Sequence, residues 1–191
     1  MKSVFGRPLP RALELTAAGV SGADTVLEVA AGTGLITAAM APRVRRVVAT
    51  DYADNMLAIL RDRMKTAGIS NVEAAHRDIY ALGYPSSSFD AVVASNVLHL
   101  VPDLERAIDA LCHVLRPGGT LITPTFVHEE TALSRIVSRL LVTFLRQPMR
   151  RRLTAASLAL ALEARGLRIT RSETIPGVIP IAYVESVLEA R

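Results

Sequence analysis

Apolar residues fall in short blocks along this chain, and the blocks alternate between two periods. Thr25–Ala30 (TVLEVA) is a continuous, β-branched run, as expected of a central parallel strand covered on both faces. Leu35–Ala41 switches to a short helix that stops near Pro42. Arg46–Asp51 (RVVATD) is a second strand, and Asn55–Ala67 a helix with Met56, Leu57, Leu60 and Met64 on one face, ending at Gly68. Asn71–His76 and Asp90–Ser95 are the third and fourth strands, the latter entered from Pro85-Ser86-Ser87-Ser88. Leu104–Leu115 is an amphipathic helix closed by Arg116-Pro117-Gly118-Gly119, and Thr120–Phe126 is a fifth strand. Five strands with helices alternating among them predict parallel strands with right-handed crossovers, a doubly wound α/β sheet.

The last third has a different pattern. Glu129–Arg146 predicts a long helix with a broad apolar face that includes Leu133, Ile136, Leu140, Leu141 and Phe144. Thr154–Arg165 predicts another helix, capped by Thr154 and closed by Gly166. Leu167–Thr174 and Ile179–Val187 read as two strands joined through Pro176-Gly177. One helix over Arg11–Ala18 precedes the first strand. With no repeat or linker, residues 1–191 are expected to form one domain, with a helical lid inserted at about 127–152 after strand 5.

Composition narrows the class. A chain of 191 residues that is 50% hydrophobic supports one well-buried core. No apolar run approaches the roughly 20 residues of a membrane span, and the N-terminus shows no secretory signal, so a soluble cytoplasmic protein is expected. The lone Cys112 excludes an intramolecular disulfide and a cysteine-based metal site. His76, His113 and His128 show no clustering that argues for a metal. The net charge is +4, with arginine clusters at Arg43, Arg45 and Arg46 and at Arg146, Arg150, Arg151 and Arg152. With no Trp and only 4% aromatic residues, base stacking is poorly served, and nucleic acid is not the expected partner.

The candidate chemistry starts at the elbow Ala30-Ala31-Gly32-Thr33-Gly34, between the first strand and its helix. In open α/β sheets ligands bind beyond the carboxyl ends of the strands, which is where this elbow lies. A dinucleotide loop needs G-x-G-x-x-G, and here the third glycine of that pattern falls on Leu35. A phosphate loop is excluded because no Gly-Lys-Ser/Thr follows. Glu28, inside an apolar strand, needs a cationic or hydrogen-bonding partner. Asp51 ends the second strand, where a carboxylate accepts both hydroxyls of a ribose, and Asp78 follows the third, where one can accept from an exocyclic amine. Three carboxylates make a poor diphosphate site and a reasonable one for a ligand with a ribose, an amino group and no phosphate. Structural readings stand beside these: Glu28 paired with an arginine, and Asp51 and Asp54 as helix N-caps, the preferred reading for Asp54.

VLEVAAGTG, VVATDYADNML, HRDIYALGYPSSSFDAVVASNVLHLV and LRPGGTLI, in that order over about Val26–Phe126, resemble the successive motifs of class I S-adenosylmethionine-dependent methyltransferases. Within that family the chain is most similar to the small-molecule branch of the ubiquinone/menaquinone-biosynthesis enzymes. The resemblance implies a Rossmann-like, mostly parallel seven-stranded sheet with a C-terminal antiparallel strand. It implies S-adenosylmethionine as cofactor and S-adenosylhomocysteine as product. Glu28 and the backbone at Ala30, Gly32 and Gly34 would hold the methionine end, Asp51 the ribose, and Tyr52 and Met56 would pack near the adenine. Asp78 would receive the adenine amino group, the Ile79 backbone a ring nitrogen, and Ser95 and Asn96 would face the methionine and methyl. Ala30 departs from the usual first glycine.

The implied activity is in-line methyl transfer, in which positioning and desolvation supply much of the acceleration. A base is needed only if the acceptor loses a proton, and His99 is the candidate. Ser95-Asn96-Val97-Leu98 stands where base-amine and glutamine methylases carry Asn/Asp-Pro-Pro-aromatic, and one cysteine argues against arsenic as acceptor. A quinone, phenol, amine or lipid head group remains open. The arginine-rich, apolar segment 130–152 fits a lid, a peripheral membrane contact or a homodimer interface. The competing classes are a non-catalytic nucleotide-binding protein of the same fold and, more weakly, an NAD-dependent oxidoreductase.

Overall fold

The first strand shows how the sequence builds the sheet. In a computed structural model, which describes residues 8–127, 153–177 and 179–190, β1 (Thr25–Val29) is buried from Val26 onward. Its side chains alternate between two cores, as a strand's period of two requires. Leu27 and Val29 face a cluster with Leu104, Ile108, Leu111, Leu158 and Leu162. Val26 faces the other, with Leu15, Ile36, Met40, Leu60 and Met64. Each such buried Leu, Ile or Met contributes about 1.5–3 kcal/mol relative to exposure, so β1 is held from both sides.

The remaining elements follow in chain order. α1 (Pro8–Gly19) precedes β1, and α2 (Leu35–Met40) follows it, running into a short 3-10 turn at Ala41–Arg43. Then come β2 (Arg46–Asp51), α3 (Asp54–Thr66), β3 (Val72–His76) and β4 (Phe89–Ala94). α4 (Leu104–Val114) leads into β5 (Leu115–Ile122) and β6 (Thr125–Phe126). α5 (Ala155–Glu163), β7 (Leu167–Ile175) and β8 (Ile181–Leu188) complete the described residues.

The sheet order is β3-β2-β1-β4-β5-β8, with β7 on the far side of β8. β1 to β5 are parallel, whereas β8 runs antiparallel to β5, β6 and β7. β5 and β6 both pair with β8, interrupted only at Thr123-Pro124, so they form one broken strand and the sheet is seven strands wide. This is the doubly wound sheet that the pattern predicts, with the seven strands and C-terminal antiparallel strand that the resemblance implies. The chain leaves β1 toward β2 and β3 on one side and returns to β4 and β5 on the other, which puts the switch point between β1 and β4.

Caps and ties set the helices. Thr154 and Ser157 form a reciprocal capping box at the start of α5, at 3.1 and 2.9 Å, worth about 1 kcal/mol. Asp103 caps α4 by accepting from the Arg106 amide at 3.0 Å. Tyr183 is fully buried on β8, its hydroxyl 3.0 Å from the Leu15 carbonyl and 2.6 Å from Glu185 Oε1, tying α1 to the sheet. Two arginines of the first basic cluster are paired, Arg45 with Asp24 and Arg46 with Glu73.

Asp54 is not the N-cap that the sequence favours. The N-cap of α3 is Ala53, without a side-chain cap, and Asp54 begins the helix proper. Its carboxylate turns to His76 Nδ1 instead, at 2.9 Å. Apart from Val127, the lid segment 127–152 lies outside the described residues, and with it the helix over 129–146 and the second arginine cluster. Among the described residues, no helix is long and apolar enough to cross a membrane.

Candidate functional site

The carboxyl ends of β3, β2, β1 and β4 lie side by side, and the residues that follow them meet there. The elbow after β1 leaves strand geometry at once. Ala30 takes φ 52°, Gly32 φ 55° and Gly34 φ 75°. The last two are glycines at left-handed positions, while Ala30 adopts that conformation with a Cβ, at a cost of about 1–2 kcal/mol. A Cβ at Gly32 would meet nothing within 4 Å, so space opens there. A Cβ at Gly34 would meet Leu60 Cγ at 2.8 Å, because α3 packs directly on the elbow. Arg63 of the same helix donates to the Thr33 carbonyl at 2.8 Å.

Glu28 is 1% exposed, two residues before Ala30 on the α2–α3 face of β1. Its partner is the Thr37 hydroxyl, which donates to Oε2; no arginine is paired with it among the described residues. Burial pushes this carboxyl up to about 8; the Thr37 hydrogen bond partly opposes that, and the nearby Asp51 charge adds to it. The site therefore holds a buried acid with one neutral donor, beside open backbone.

Asp51, ending β2, accepts from the Gly32 amide at 2.7 Å through Oδ2 and from the Ala53 amide at 2.9 Å through Oδ1. It joins the β1 elbow to the start of α3. The next residue, Tyr52, is 70% exposed, and its ring lies 5.4 Å from that of His76 at a tilt of 46°. Met56 is half-buried in the first turn of α3. Beyond β3, Asp78 is exposed and accepts from the Tyr80 amide at 2.9 Å through Oδ1. Ile79 packs on the α4 side of the core.

After β4, Ser95 is half-buried and Asn96 takes φ 51°. The Asn96 amide donates to the Pro124 carbonyl at 2.8 Å, and its side-chain oxygen accepts from the Phe126 amide at 3.3 Å, so it ties β4 to β6. His99 is 6% exposed in the turn between β4 and α4. The structure thus gathers Ala30, Gly32, Asp51 and Tyr52 closely, sets Asp78 beyond the neighbouring strand, and buries His99. Sequence reasoning missed Thr37, Arg63 and the Tyr52–His76–Asp54 contact. Thr37 was the most discoverable, as the single polar side chain in the helix LITAAM.

Fold and geometry together give an open α/β protein with a candidate site at the strand ends, carboxylate-rich and without a phosphate loop. The comparisons make the class specific. Residues 26–119 match the family model described as a methyltransferase domain. Over 112 residues the chain is 38% identical to the ubiquinone/menaquinone biosynthesis C-methyltransferase UbiE of Enterobacter sp. (strain 638), covering 56% of this chain and 45% of that one. The chain thus spans less than half the length of that relative. Among solved structures, the YcgJ protein of Bacillus subtilis superposes with a TM-score of 0.81 at 14% identity, covering 95% of this chain and 100% of that one. The [4+2]-cyclase SpnF superposes at 0.77 and 20% identity, covering 95% and 82%. Residues 26–119, just under half of the chain, match a methyltransferase domain, and the relatives support a class I S-adenosylmethionine-dependent methyltransferase.

Proposed function

We propose that this chain binds S-adenosylmethionine across the ends of β1, β2 and β3 and passes its methyl group to a small or lipid-like acceptor. The observation that carries the reading is Glu28, a buried carboxyl whose one hydrogen-bond partner among the described residues is the Thr37 hydroxyl, with open backbone at Gly32, whose amide donates to Asp51. The residues present fit the cofactor. A buried acid suits an aminoacyl group with a positive charge, Asp51 suits a ribose diol, and Asp78 suits an exocyclic amine. Gly32 and Gly34 keep the elbow close enough for the methionine end to lie against backbone.

When bound, the cofactor supplies a methyl group on a positively charged sulfur, which leaves as neutral S-adenosylhomocysteine. The acceptor must approach in line with that carbon–sulfur bond, so the chain's task is to hold, align and exclude water. Ser95 and Asn96 flank the methyl position in this reading. Where the acceptor surrenders a proton, His99 is the base we assign. The UbiE relative is named for C-methylation in quinone biosynthesis, which makes an electron-rich quinol ring the first acceptor to try.

Purified protein incubated with methyl-labelled S-adenosylmethionine and a reduced quinone precursor, beside a total lipid extract, tests the reading. Label in the organic phase is expected. A second reading, the same fold without methyl transfer, has the [4+2]-cyclase neighbour as a parallel. Cofactor binding with no transferred label to any acceptor fraction favours it over ours.

A further inference from the structure

Tyr52 presents most of a tyrosine ring to solvent, 70% exposed, at the edge of the proposed cofactor site. A ring in that position gains little from burial, so its orientation must come from a neighbour. That neighbour is His76. β2 and β3 pair in parallel with Asp51 opposite His76, so the residue after Asp51 falls beside the imidazole. The ring centroids lie 5.4 Å apart at a tilt of 46°, within the range of attractive aromatic pairs, and Tyr52 stays 70% exposed beside His76. His76 is itself held, because Asp54 at the start of α3 reaches its Nδ1 at 2.9 Å.

With the ribose on Asp51 and the adenine amine on Asp78, as proposed above, the base would lie toward β3, the strand paired with β2. Tyr52 stands on that side, beside His76. Stacking on an aromatic ring is a general way to bind a base, since every base offers a π-face. We propose that His76, braced by Asp54, is a positioning residue whose imidazole holds the Tyr52 ring as one wall of the pocket for the adenine. This rests on the cofactor reading above and adds residues to it.

The Asp54–His76 pair is solvent-exposed, with side chains 85% and 50% accessible, and such pairs contribute little to folding stability. Variants here are therefore expected to melt with the wild type. Calorimetric titration of S-adenosylhomocysteine and of adenosine reads the role. His76→Ala should weaken both ligands about three- to tenfold, the size of one aromatic contact. His76→Phe, which keeps a ring against Tyr52, should retain most of the affinity; His76→Gln, which keeps only a polar group near Asp54, should not. The Tyr52→Ala, His76→Ala double variant should bind no more weakly than Tyr52→Ala alone, because His76 acts through Tyr52. Additive losses, or His76→Ala binding like wild type, would overturn the proposal. Wild type failing to bind S-adenosylhomocysteine would sink the cofactor reading itself. Wild-type binding that Asp51→Ala abolishes while His76→Ala leaves it intact would remove only this inference.

Discussion

Glu28 is a carboxyl buried inside an apolar strand, with the Thr37 hydroxyl donating to it. In the unfolded chain its carboxyl titrates near 4.5, and in the fold burial raises it to about 8. Below the lower value both states are neutral, and the group adds no charge penalty. Between the two, the unfolded chain has ionised while the folded protein still holds the proton, so stability falls as pH rises. Above the upper value the loss is complete, on the order of 5 kcal/mol as an upper bound. A Glu28→Gln variant keeps a hydrogen-bonding partner for Thr37 and lacks the titration. Urea unfolding at pH 5.5 and 8.5 should show wild type losing a few kcal/mol more than the variant across that interval. Equal losses would mean that Glu28 is not the titrating buried acid. A chain selected for stability alone would place an apolar residue here, between Leu27 and Val29, which is why the position reads as a binding feature.

At the scale of the element, the elbow is where the chain departs from its easiest conformation. Three of its five residues take positive φ, and only two of those three are glycines. Ala30 is the exception, at φ 52°. Ala30→Gly removes the Cβ strain and adds unfolded-state entropy, for a net gain of about 0.5–1 kcal/mol. A denaturation midpoint shifted upward with unchanged slope would show it, and a lowered midpoint would contradict it. Much of this element was legible beforehand. The continuous apolar run, the glycines and the following helix placed the turn, and Asp51 and Asp78 marked the neighbouring strand ends. What the pattern did not carry were contacts set by three-dimensional register. Thr37 reaches Glu28 only once α2 folds back on β1, and Arg63 reaches Thr33 from 30 residues away. The Asp54 cap failed for a related reason: helix propensity favours aspartate at an N-cap, but the chain turns one residue earlier and the carboxylate finds His76.

At the scale of the molecule, the parallel order of β1 to β5 and the antiparallel β8 bring residues from four separate segments to one edge. The alternating blocks made that architecture readable, because strands buried on both faces and helices buried on one leave different periods in a sequence. The acceptor is not readable in the same way. Its specificity depends on what covers the strand ends, not on the sheet that all such proteins share. In the proposed function, the strand-end carboxylates and the glycine elbow form one seat for S-adenosylmethionine. Isothermal calorimetry with S-adenosylmethionine and with NADH, on wild type and Asp51→Ala, tests it most directly. Saturable one-to-one binding of S-adenosylmethionine is expected, with none of NADH and an affinity lowered about 10- to 100-fold in Asp51→Ala, the worth of hydrogen bonds to a charged group. Binding of NADH in preference, or S-adenosylmethionine affinity unchanged by Asp51→Ala, would contradict it.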